Sequence, residues 1–114
     1  MKANALFNAL ADPTRLRAIM LILSEGEVCV CEFTHALSES QPKISRHLAY
    51  LRDAKVVCAR REGTWMHYRL DPKLPPWAVD ILAEAHRQLR DSSPFKADLD
   101  RLLRMKNRPD RECA

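Results

Sequence analysis

The chain has 114 residues, 46% hydrophobic and 30% charged, which is enough for one packed core and too few for two domains to be the default. Its longest apolar run, Ala18 to Leu23, falls far short of the ~20 residues that cross a bilayer, and the opening residues lack the apolar stretch of a secretory leader. The net charge of +4 is concentrated in residues 41–70, where seven Lys/Arg face two Asp/Glu, a field that favours a polyanion such as nucleic acid. On composition alone a merely solvated basic face competes with that reading. These features predict a small, soluble, helix-rich cytoplasmic domain with no membrane partner.

Residues 4–10 read as a short helix with Leu6 and Leu10 on one face. Asp12 before Pro13 is an N-cap followed by a first-turn proline, and Leu16, Ile19, Met20 and Leu23 then recur at helical spacing up to a stop at Gly26. A third helix is expected from Val30 to Leu37, packing Phe33 and Leu37 inward. Ser40 caps a fourth, with Pro42 in its first turn and Ile44, Leu48 and Leu51 as its buried stripe. Its other side carries Gln41, Lys43, Ser45, Arg46 and His47. Two helices joined by a short turn, the second basic outward, match a helix-turn-helix.

The period then changes. Val56 to Arg60 and Thr64 to Leu70 are β-rich and flank a turn at Arg61-Glu62-Gly63, which predicts a hairpin with Arg60, Arg61 and Arg69 near its rim. A hairpin directly after a helix-turn-helix is a wing, able to contact phosphates beside the recognition helix. The segment Trp77–Arg90 is amphipathic, with Trp77, Ile81, Leu82, Ala85 and Leu89 inward, and a last helix from Pro94 to Met105 carries Leu99, Leu102 and Leu103. This apolar face reads as a dimer seam, since helices two to four already supply a core. The fold class is therefore mainly α with a β-hairpin, a dimeric winged helix-turn-helix over residues 1–105, followed by a disordered tail over 106–114.

Ala9-Leu10-Ala11-Asp12-Pro13-Thr14-Arg15-Leu16-Arg17, Ser40-Gln41-Pro42-Lys43-Ile44-Ser45-Arg46-His47-Leu48 and Arg61-Glu62-Gly63-Thr64-Trp65-Met66-His67-Tyr68-Arg69-Leu70 resemble the metalloregulatory ArsR/SmtB family of bacterial repressors. The resemblance covers roughly residues 4–92. It implies a dimer that sits on a partly palindromic operator and leaves it when a toxic metal or metalloid binds. Glu27-Val28-Cys29-Val30-Cys31-Glu32 resembles the thiolate pair of arsenic-responsive members, which typically add a third cysteine where this chain has Thr34. Cadmium-sensing relatives recruit an N-terminal cysteine, and residues 1–28 contain none. The aspartate and histidine set of zinc-sensing members is not matched, since Asp80 is followed two on by Leu82 and His86 stands alone.

Cys29, Cys31 and Cys113 are thus the candidate ligands, with As(III) or Sb(III) as inducer, because thiolates select soft ions. Cys113, in the tail, is a candidate third sulfur from its own or the partner subunit. In a regular helix Cys29 and Cys31 would lie ~200° apart around the axis, so joint binding is expected to need an extended or unwound helix start. That tug on the helix-turn-helix would link ligand to DNA release. The competing reading makes the pair small buried hydrophobes, and burial is the expectation for Cys58. His35 shares a face with Cys31 and is either a further zinc or cadmium ligand or a plain exposed histidine. His67 is expected to brace the wing by hydrogen bonding. Gln41, Lys43, Ser45, Arg46 and His47 are the candidate operator contacts on the recognition helix, His47 being equally a brace; Arg60, Arg61 and Arg69 are those of the wing. Cadmium-, lead-, zinc- or redox-responsive repression is the alternative within the same fold. A thiol enzyme is disfavoured, because Glu27 and Glu32 flank the pair with the wrong charge for activating a thiolate.

Overall fold

A computed structural model of the chain describes residues 1–106 and 108. The order is α1 (Ala3–Leu10), α2 (Pro13–Glu25), β1 (Glu27–Cys29), α3 (Val30–Leu37), α4 (Gln41–Asp53), β2 (Val57–Glu62), β3 (Trp65–Leu70), α5 (Pro76–Leu89) and α6 (Phe95–Leu103). The capping chemistry places the starts. Asp12 Oδ2 accepts the Thr14 and Arg15 backbone N–H groups at 2.9 and 3.0 Å, and the Ser40 hydroxyl accepts the Lys43 N–H at 3.4 Å. Gly26, at φ +86°, ends α2 in a conformation that L side chains rarely adopt.

The wing is a three-stranded antiparallel sheet in the order β1-β3-β2. Strand β1 is not foreseen from the sequence. Its three residues pair with β3 in the register Glu27↔Arg69, Val28↔Tyr68 and Cys29↔His67. One face turns Val28, Val57 and Tyr68 into the core, where the Tyr68 ring meets Phe33 edge-on at 6.3 Å. The other carries Glu27, Arg60, Glu62 and His67.

Packing extends one expectation and corrects two. In α2 the expected Leu16, Ile19, Met20 and Leu23 all pack on the core, and burial reaches further, over all of Ala18 to Ile22. In α5 the buried positions are Ala78 and Leu82, and Trp77, expected inward, is 37% exposed. The last two helices also complete the core of a single chain instead of merely lining a seam. Helix α5 packs on α2, and α6 packs on α2 and α3 with Leu102 fully buried. Asp98 is buried too, its Oδ1 accepting from Arg17 and Arg101 at 2.7 Å each. Among the described residues, no helix is long and apolar enough to cross a membrane.

Candidate functional site

The thiol pair sits where three elements meet. Cys29 is the last residue of β1 and the N-cap of α3, extended at φ −95° and ψ 165°, and Cys31 lies in the first turn of that helix. The ~200° splay expected of two helical residues does not arise, because only one of the two is helical. The sulfurs are 3.1 Å apart. The extended start that joint binding was expected to need is thus already in place at Cys29, so no unwinding is required to bring the sulfurs together, which corrects that part of the expected link to DNA. Cys29 is fully buried and Cys31 half-buried. Cys58 is also half-buried, its thiol directed at the Leu70 carbonyl at 4.0 Å.

Glu32 governs the charge of this pocket. It is 1% exposed; Oε1 accepts the Cys29 backbone N–H at 2.9 Å and Oε2 accepts from Arg108 Nε at 2.7 Å. Arg108 also reaches Glu25 Oε1 at 2.9 Å, so its guanidinium ties the end of α2 to the helix start that carries the thiols. Burial first, then the Cys31 sulfur and the Glu32 charge, push the Cys29 thiol far above the ordinary thiol range; burial also raises Cys31. Both are held as neutral thiols. Alkylation of the reduced protein, followed residue by residue by mass spectrometry, should rise about tenfold per pH unit at this pair with no plateau near the ordinary thiol pKa of ~8.5. Glu32→Gln should speed it, since removing the negative charge lowers the barrier to ionisation; a plateau near pH 8.5 in the unmodified chain would overturn this account.

Among the described residues no third donor joins the pair: no group of three or more His, Cys, Asp or Glu is arranged to hold a metal ion, and His35 is exposed on the far end of α3. His86 hydrogen-bonds to the Ser24 hydroxyl at 2.8 Å. Cys113 lies outside the described residues. Two sulfurs suit a soft, thiophilic ion or a dithiol-reactive compound.

The basic residues divide into engaged and available. On α4, Arg46 is exposed, whereas Lys43 pairs with Glu39 at 3.1 Å and Gln41 bonds the Ser45 hydroxyl at 2.8 Å. His47 turns toward the start of α2, with Nδ1 3.7 Å from Asp12 Oδ2, and burial holds its imidazole below the ordinary value. Arg15 completes this brace, donating to the Ala9 and Asn8 carbonyls and lying 3.9 Å over the Tyr50 ring. On the wing, Arg61 and Arg69 are exposed. Arg60 is held by Glu27 at 2.6 Å and by Glu62, and His67 Nδ1 lies 3.9 Å from Glu27. Sequence reasoning missed the Glu32–Arg108 clamp, for which the signal was a glutamate three residues after a capping position; it offered His47 as a brace without naming Asp12 as its partner.

The family described as bacterial regulatory protein, arsR family, matches residues 12–57. The chain is 58% identical over 76 residues to the arsenic resistance transcriptional regulator ArsR1 of Pseudomonas putida, a match spanning 67% of this chain and 59% of that one. It is 50% identical over 101 residues to ArsR2 of the same organism, spanning 89% of this chain and 84% of the relative. Among solved structures it resembles HlyU from Vibrio cholerae (TM-score 0.67, 29% identity, 78% of this chain and 98% of that one). It also resembles the AntR antimony-specific transcriptional repressor (TM-score 0.62, 28% identity, 75% of this chain and 74% of that one).

Proposed function

The chain belongs to the arsR family of bacterial regulatory proteins, and on that premise we propose that it is an arsenic-responsive repressor: a homodimer that holds operator double-stranded DNA in the cytoplasm and releases it when As(III) or Sb(III) bonds the thiolates of Cys29 and Cys31. It is a transcriptional regulator rather than an enzyme.

The observation that carries this reading is the position of the thiol pair. Cys29 faces His67 across the β1–β3 ladder of the wing, and the same residue caps the first helix of the helix-turn-helix. A ligand that draws both sulfurs into one coordination sphere acts where the wing root and that helix start meet. Whatever difference in affinity it has for the DNA-fitting and altered arrangements of this junction becomes the coupling to DNA. The names of the relatives, arsenic resistance for two and antimony for a structural neighbour, support the choice of ligand. Cys113 is the proposed third sulfur for the inorganic ions.

On the DNA side, Arg46 and Arg61 are the proposed phosphate or base contacts, flanked by Gln41, Lys43, Ser45 and Arg69. His47 and Arg60 take the bracing role that their ion pairs with Asp12 and Glu27 favour. Exposed apolar side chains on α1, α5 and α6, among them Phe7, Val79 and Leu103, offer a surface for a second copy.

The test is binding of the reduced protein to the DNA upstream of its own gene, titrated separately with arsenite, cadmium and zinc. Release by arsenite at the lowest concentration is expected. Tight binding indifferent to arsenite but sensitive to cadmium would keep the regulator and replace the ligand, and no binding at all would overturn the reading. In the same assay Arg46→Ala should weaken binding and flatten the slope of log K against log salt by ~1 per DNA-contacting arginine. An unchanged slope would remove Arg46 from the contacts.

A further inference from the structure

The first turn of α2 reaches the recognition helix at two points. Asp12, which caps α2, has Oδ2 3.7 Å from Nδ1 of His47, and the Arg15 guanidinium lies 3.9 Å over the ring of Tyr50. His47 and Tyr50 are three residues apart on α4 and so share one face of it. The same guanidinium grips α1. Arg15 Nε donates to the Ala9 carbonyl at 2.9 Å and Nη2 to the Asn8 carbonyl at 3.0 Å, in the last turn, where intrahelical donors run out. One side chain of α2 thus ties the end of α1 to α4. Tyr50 is 42% exposed, and the buried face of α4 is Ile44, Leu48 and Leu51, so the Arg15–Tyr50 contact adds direction rather than core.

We propose that Arg15, seated on Tyr50, is a positioning residue that fixes the recognition helix relative to α1 and so sets the separation of the two operator half-sites that the dimer accepts. This role presupposes the dimeric, operator-binding repressor already proposed, and names what decides its choice of spacing. Phe7, 52% exposed on α1, immediately precedes the Asn8 and Ala9 carbonyls that Arg15 grips. Arg46, the proposed DNA contact on α4, immediately precedes His47. The brace therefore runs from the surface offered to a second copy to the surface offered to DNA.

Magnitudes show why such a brace matters. One base pair added between half-sites moves them ~3.4 Å further apart and turns one by ~35° about the duplex. Helices packed through apolar faces alone slide on one another by about 1–2 Å. Two subunits that each slide this far absorb much of the added translation and tolerate the wrong spacing. With Asp12 against His47 and Arg15 against Tyr50, each recognition helix is instead pinned by directional contacts one turn apart, and the dimer presents its two readers at one separation.

The experiment uses the reduced full-length chain and duplexes that carry its two footprinted half-sites at the native separation and at one base pair more or fewer. Fluorescence anisotropy at fixed salt gives a Kd for each duplex. The unmodified protein is expected to lose about tenfold at either altered spacing, the scale of one mismatched base pair, and Arg15→Ala to lose no more than about threefold. Arg15→Lys keeps the charge but not the planar fork that holds two carbonyls, and should also lower the penalty. Tyr50→Leu, a change at an exposed position, should do the same and carries the test if Arg15→Ala fails to fold. Each result is a ratio between spacings, so a general loss of affinity cancels. A penalty left unchanged in Arg15→Lys and Tyr50→Leu makes these contacts merely structural and overturns the inference, as does an unmodified protein indifferent to spacing. If the unmodified protein binds none of the duplexes, or binds one half-site as tightly as two, the reading as a dimeric repressor fails and this inference fails with it.

Discussion

Cys29→Ser should leave a folded, DNA-binding protein that no longer responds to arsenite, its releasing concentration raised roughly 10²–10⁴-fold, the gain usually conferred by tethering a second binding group. The substitution is well suited to isolate the thiol. Serine is a preferred N-cap residue, and at this position it completes a serine-x-x-glutamate capping box with Glu32, whose carboxylate already accepts the Cys29 backbone N–H at 2.9 Å. The start of α3 should be no less stable than before, so lost response cannot be assigned to a lost helix. Cys31→Ser should behave alike, because either change converts a chelate into a single As–S bond. Cys58→Ser should release DNA normally, its sulfur being directed at the Leu70 carbonyl instead. Electrophoretic mobility with an arsenite titration reads all three. A normal response in Cys29→Ser would exclude chelation by the pair.

Asp98→Ala should lower the unfolding free energy by about 3 kcal/mol, the lower end of what removing one partner of a buried ion pair costs, because Arg101 is more than a third exposed. The carboxylate is 1% exposed and takes three donors: Arg17 Nε at 2.8 Å, Arg17 Nη2 at 2.7 Å and Arg101 Nη2 at 2.7 Å. The arginines are not idle beyond this. Arg17 also donates to the Leu37 carbonyl at 3.0 Å, and Arg101 to the Ala36 carbonyl at 2.7 Å. These are carbonyls at the end of α3, where a helix has no internal donors left. Asp98 therefore aims two guanidinium groups at the helix that bears the thiols, and without it both lose their shared buried counter-charge. Urea denaturation followed by circular dichroism measures the loss. Asp98→Asn should lose less, since it keeps the volume and one acceptor. A change under 1 kcal/mol in Asp98→Ala would show the cluster to be dispensable.

The helices were legible because their signals are local. Asp12-Pro13 and Ser40 with Pro42 announce the starts of α2 and α4 within four residues, and each cap forms in the structure. What was not legible depends on distant partners. Strand β1 has three residues and exists by pairing with β3 some forty positions later, so no window on the sequence isolates it. Asp98 reads as a surface charge until Arg17, 81 residues earlier, is placed beside it. At the start of α5 Trp77 was expected inward where Ala78 is buried, because periodicity gives a helix face only to within a residue, while Leu82 is buried as expected and Ile81 and Ala85 pack on the core. The start of α3 at Val30 was legible; the ~200° splay applies only to two helical residues, and with Cys29 extended ahead of the helix the sulfurs lie 3.1 Å apart. The basic recognition helix was legible as charge, but which cations are spent on Glu27, Glu39 and Glu62 required the fold.

The pairing of β1 with β3 bears on how such a regulator can be recombined. A chimera made by grafting a recognition helix and hairpin from a relative, with the crossover after α3, would leave β1 behind and set Cys29 against a foreign residue in place of His67. The inherited detector would then be mounted on a strange edge, and its set point would drift even if every cysteine were kept. Changes of operator preference that reach β3 carry the same penalty. Grafts that exchange residues 27–70 as one block keep the ladder whole, so the proposed detector and the proposed reader are inherited together.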